Sequence, residues 1–79
     1  MSPTVFRECG YRFFFFSREE ARPHIHVYSG DGEAKYWIEP DVELVKSYGF
    51  NQTQLRDIQA IIKEHRNVIQ TAWREHFGD

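Results

Sequence analysis

Apolar residues are spaced with two different periods along this chain, and the change of period divides it. Up to Lys46 they alternate with polar residues or gather in short runs between turn formers; from Asn51 to Phe77 they recur every three to four residues. The first pattern is that of strands and the second that of a helix. Residues 4–8 form a short β-prone run closed by a Cys9-Gly10 turn, and residues 11–16 form an aromatic strand. Residues 17–22 are polar and charged and read as a loop, which Pro23 closes while holding Arg22 out of helical geometry.

Residues 24–29 alternate as a half-buried strand does. Gly30-Asp31-Gly32 is the clearest turn, with both glycines expected to use positive φ. Residues 33–38 should return antiparallel until Pro40 stops them. Residues 42–46 fit either a short edge strand or an irregular crossover, and Tyr48-Gly49-Phe50 fits a connector. Asn51 is a good N-cap, and Gln54 three residues later completes a capping-box pattern. Leu55, Ile58, Ile62, Val68 or Ile69, Ala72, Trp73 and Phe77 then mark one stripe, and Gly78 ends it. Neither Gly nor Pro interrupts residues 53–77, which predicts one helix of about 25 residues and about 37 Å. The fold class expected is α+β: a small, mostly antiparallel sheet of three to five strands, packed on one face by a long C-terminal helix.

One helix can cover only one face of such a sheet, and period-two alternation assigns the residues. Tyr11, Phe13, Phe15, Ile25, Val27, Ala34, Tyr36 and Ile38 form the more apolar set and belong under the helix. Arg12, Phe14, Phe16, His24, His26, Tyr28, Glu33, Lys35 and Trp37 then share the open face. Contiguous rings on an open face imply an occupant, whether a partner protein, a second copy of the chain or a nucleic acid.

Composition bounds this picture. Seventy-nine residues make a single domain, 1–79, and the 16% aromatic content supplies a core without a metal. A net charge of −2 argues against a strongly basic nucleic-acid binder, though not against a local basic patch. The lone Cys9 cannot form an internal disulfide. No apolar run reaches signal-peptide or membrane-spanning length, so a cytoplasmic protein is expected. The sequence carries no P-loop, dinucleotide fingerprint or zinc-finger spacing, and no cofactor is expected.

His24-x-His26 is the sharpest local signal. Two residues apart on a strand means one face, with both imidazoles side by side. That arrangement suits ordinary hydrogen-bonded strand histidines, an acid/base pair, or two metal ligands completed by Glu33, His65 or His76. Glu33 and Lys35 are expected across the hairpin from the histidines. There Lys35 and Arg12 could contact phosphate, and Glu33 could orient a histidine or act as a base; a plain cross-strand pair serves equally well. Phe14, Phe16, Tyr28 and Trp37 could stack bases or form a protein interface. His65 and His76 fit the edge of the helix stripe, and Glu64, Arg66, Arg74 and Glu75 fit a solvated face.

Gly10-Tyr11-Arg12-Phe13-Phe14-Phe15, Pro23-His24-Ile25-His26-Val27 and Gly32-Glu33-Ala34-Lys35-Tyr36-Trp37-Ile38 stand ahead of a helix that carries Glu64-His65-Arg66 and Trp73. Together these resemble the domain-of-unknown-function family 4160 over nearly the whole chain. Members often carry two prolines before the first histidine, where this chain has Arg22-Pro23. The resemblance implies a small prokaryotic component of a two-gene, toxin–antitoxin-like module. Its partner would be a small protein similar to the domain-of-unknown-function family 2442, with RNA as a further ligand of the open face. If the chain is a ribonuclease-like toxin, His24 and His26 would be the acid/base pair. The alternatives are a homodimeric interaction module burying Phe14, Phe16 and Trp37, and a His-x-His metal protein.

Overall fold

The computed structural model describes residues 4–16 and 22–78. The segment read as a loop lies, at residues 17–21, outside them. Five strands, β1 (Thr4–Glu8), β2 (Tyr11–Phe14), β3 (His24–Ser29), β4 (Gly32–Trp37) and β5 (Glu43–Tyr48), form one antiparallel sheet in the order β1-β2-β3-β4-β5. Two helices follow, α1 (Gln52–Glu64) and α2 (Arg66–Phe77). Sheet and helices make the expected α+β architecture, and the two-layer molecule measures 34 × 27 × 20 Å.

The core lies between the layers. Phe13, Phe15, Ile25, Val27, Ala34, Tyr36 and Ile38 from the sheet meet Ile58, Ile61, Ile62, Ile69 and Trp73 from the helices. These sheet residues belong to the set that alternation placed under the helix. Tyr36 is also an anchor: its hydroxyl, at the centre of the core, donates to the carbonyl of Leu55 at 2.9 Å. Burial, with a smaller contribution from Tyr11, pushes the Tyr36 hydroxyl up to about 12.

Five local expectations are corrected. The helix is not a single rod but bends at His65 (φ −105°, ψ 18°), although backbone bonds bridge the bend from His65 to Ile61 and from Ile69 to His65. Tertiary bonds to β1 and to the segment after β4 fix the bend. His65 Nε2–H donates to Glu8 at 2.8 Å, and Arg66 donates to the carbonyls of Ile38 (2.8 Å) and Pro40 (2.6 Å). Arg66 is therefore a clamp and not part of a solvated face. β2 stops at Phe14, two residues early.

The β3–β4 turn forms where expected, yet neither Gly30 nor Gly32 uses positive φ. Gly32 is required for another reason: a Cβ there would overlap the carbonyl oxygen of Tyr48, and Gly49 (φ 88°) is packed as tightly against Asp31. Residues 42–46 resolve as an edge strand that runs on to Tyr48, so Tyr48 belongs to β5. The Cys9-Gly10 turn has positive φ at both residues, the type I′ geometry of two-residue hairpins. The capping box of Asn51 and Gln54 is present in both directions.

Gly32→Ala should cost about 1–3 kcal/mol in urea denaturation, because the obstructing atom is backbone and cannot swing aside. The tyrosine supplies a pH test. Unfolding lets Tyr36 ionise near its ordinary value of 10.0, while the folded group resists until about 12. Its contribution is complete below pH 10 and is lost as pH rises through that window. Tyr36→Phe should flatten the alkaline limb of the stability–pH curve relative to the parent chain.

Candidate functional site

Register turns the uncovered side of the sheet into three rows. Arg7, Arg12, Tyr28, Glu33 and Tyr48 are consecutive cross-strand partners over all five strands. Thr4, Phe14, His26, Lys35 and Lys46 form the next row, and His24, Trp37 and Glu43 the third. All eight open-face residues expected on β2, β3 and β4 fall in these rows. Phe16 lies just past the end of β2, with its ring 5.3 Å from Phe14 and 4.3 Å from His26.

The rings on this side are partly covered by one another and by cations. Phe14 is only 8% exposed because the Arg12 guanidinium lies 4.4 Å above it and the His26 ring stacks at 5.6 Å. Arg12 is held in that position by a 2.7 Å bond from Nε to the Thr4 hydroxyl. Trp37 carries two cations, Arg22 at 4.3 Å and Lys35 at 4.8 Å. Arg22 also donates to the carbonyl of Glu39 at 3.0 Å. Phe16, Tyr28 and Tyr48 remain open, Tyr48 most of all at 78% exposure.

The two histidines differ in environment. His24 is fully buried where the sheet meets α2, wedged among Trp37, Trp73 and His26 at ring distances of 5.6, 5.1 and 5.1 Å. Its Nδ1–H donates to the carbonyl of Arg22 at 2.7 Å, which fixes the ring and ties down the chain before Pro23. His26 is half-buried and faces Lys35 across the hairpin. Glu33, expected opposite a histidine, instead faces Tyr28. His26, Glu33, Lys35, Lys46 and Tyr48 surround a shallow cavity of about 230 Å³.

His24 and His26 are not part of a metal-holding group among the described residues. The group close enough to share an ion is Glu8, Glu64 and His65, whose ligand atoms lie within 4.8 Å of one another on the helix side. His76 is exposed and stacks on Phe15 at 6.0 Å, and Cys9 is exposed in its turn.

Sequence reasoning missed Arg7, Arg22 and Lys46. The available signal for Lys46 was its two-residue spacing from Tyr48, which puts the two side chains on one face of a strand. Arg22 reads from the sequence as a loop residue, but its guanidinium returns to the sheet face over Trp37.

The buried imidazole gives a direct test. His24→Ala should destabilise the chain by about 2 kcal/mol or more, since it removes a packed ring and leaves a cavity. His26→Ala, at a half-exposed position, should cost less than about 1 kcal/mol in the same denaturation assay.

No helix among the described residues is long and apolar enough to cross a membrane. The family model described as a domain of unknown function (DUF4160) matches residues 10–74. No curated protein and no solved structure matches the chain.

Proposed function

The chain belongs to the domain-of-unknown-function family 4160, and within that family we propose that it is a binding subunit of a two-gene, toxin–antitoxin-like module that docks a small protein partner through the open sheet face and β5. The observation that carries this reading is where apolar surface is left exposed. Of the large hydrophobic residues exposed among the described residues, Phe16, Tyr28 and Tyr48 lie on the open face, and Leu44 and Val45 lie beside them on β5. Only Val68 lies elsewhere. Surface of this kind, concentrated on the open face and on β5, suits a protein interface.

β5 is the edge of the sheet, and its six residues are all exposed. Its outer backbone groups can extend the ladder into an added strand, with Leu44 and Tyr48 supplying side-chain contacts on opposite faces. The resemblance of the sequence to components of such modules supplies the kind of partner, a small protein similar to the domain-of-unknown-function family 2442.

The burial of His24 favours binding over the ribonuclease-like alternative. An acid/base pair needs both imidazoles at the substrate, and His24 has no exposed surface. The same burial places it among structural rings.

Co-expression with the encoded neighbour, followed by affinity capture, tests the reading. The parent chain should retain the partner in stoichiometric amount, and Leu44→Asp should reduce retention at least about tenfold through burial of an unpaired charge. Absence of a complex with the parent chain, or retention unaffected by Leu44→Asp and Tyr48→Asp together, would overturn it.

A further inference from the structure

The two edges of the sheet are not alike. β1 keeps its apolar Val5 and Phe6 half-buried against the core, whereas all six residues of β5 are exposed, the apolar Leu44 (42%) and Val45 (39%) among them. An exposed apolar edge of this kind is a template for another strand. Charge selects which strand fits. Glu43 and Lys46 are opposite in sign and three residues apart, a spacing that puts side chains on opposite faces of a regular strand. Register brings them to one face here. Lys46 pairs with Lys35, Leu44 with Tyr36 and Glu43 with Trp37, so Val45 is an extra residue in β5. Glu43 and Lys46 therefore both stand on the helix-free side, and Leu44 stands on the other.

We propose that β5 pairs antiparallel with β5 of a second copy of this chain, joining two sheets edge to edge about a two-fold axis. Glu43 lies opposite Lys46 of the second copy, and the symmetry repeats the pair in reverse. Leu44 of each copy then falls opposite Val45 of the other. Directly opposed residues of an antiparallel pair share a face, and the extra residue in both strands is what lets Glu43 and Lys46 meet that condition. Other registers fail. They set Lys46 against Lys46, set Glu43 against Glu43, or leave the charges facing Val45 and Leu44. A parallel, in-register pair would oppose every charge to its like.

Glu43 also lies 3.6 Å from the Arg22 guanidinium of its own chain. A carboxylate has acceptor sites for both cations. Strands of six residues make a small interface, so the association is reversible and not obligate. Self-pairing uses the same outer backbone groups of β5 that a docked strand would use. The second copy therefore guards the edge, and a protein partner must displace it. That regulatory consequence rests on the docking reading; the pairing itself does not.

Sedimentation equilibrium of the full chain alone, at concentrations up to about 1 mM, tests the proposal and should show a monomer–dimer equilibrium. Glu43→Lys or Lys46→Glu replaces both ion pairs of the dimer with like charges and should weaken association about tenfold or more. Mixing the two singly substituted chains should restore it, because every opposed pair is then Lys against Glu. The double substitution in one chain should restore it as well. Recovery on mixing also separates a lost contact from a damaged fold. Val68→Asp, on α2, should leave the dimer unchanged.

A monomer at every concentration overturns the proposal. So does a dimer that neither charge reversal weakens, or one that mixing fails to restore. Adding the encoded neighbour should convert the dimer into a complex holding one copy of this chain, and a neighbour bound to the intact dimer overturns the guarding role. Capture of the neighbour by a chain that never dimerises removes this inference alone. A dimer that captures no neighbour removes the docking reading alone.

Discussion

A single helical layer can bury only one side of a sheet, and the rest of the molecule follows from that limit. Five strands at about 4.8 Å make a surface about 24 Å wide, on which the helices of this short chain form one layer. Tyr36, Phe13 and Ile25 at the sheet centre meet Ile58, Ile62 and Ile69 and close the core from that side. The period-two geometry of strands then turns half of every strand outward. Whatever the chain does through its sheet, it does with that half.

At one corner a residue of the outer rows meets the helix layer. His24, though it belongs by register to the outer rows, is sealed by Trp37 on the sheet and Trp73 on α2. Its bond to the carbonyl of Arg22 fixes the residue whose guanidinium covers Trp37. The most recognisable motif in the chain thus divides its labour. His24 builds the corner, and His26 presents a half-exposed imidazole between Phe14 and Lys35. Electrostatics divides in the same way: basic pairs gather on the outer rows, while the chain as a whole is slightly acidic.

Much of this was legible in the sequence because alternation is a local signal. Ile25 and Val27 against His24 and His26, and Tyr36 against Lys35 and Trp37, assign themselves to opposite faces without any knowledge of their neighbours. Register is not local. That Arg7 meets Arg12 and Lys35 meets Lys46 depends on hairpin lengths and on the irregularities between Thr4 and Phe6 and between Lys35 and Tyr36. The bend at His65 was equally hidden. No Gly or Pro marks it, and it is fixed by bonds to Glu8, Ile38 and Pro40, distant in sequence. Gly32 shows a further limit, since it reads as a turn residue but is required by the approach of β5.

The central claim is that the helix-free face is the working face. Chemical-shift mapping of the full chain, titrated with the proposed partner protein, addresses it most directly. The account predicts perturbation of the Trp37 indole, the His26 imidazole and the backbone of β5, with the exposed Val68 methyls and the outer surface of α1 unmoved. Perturbation centred on Val68 and the helices, with Trp37 and β5 silent, would contradict it.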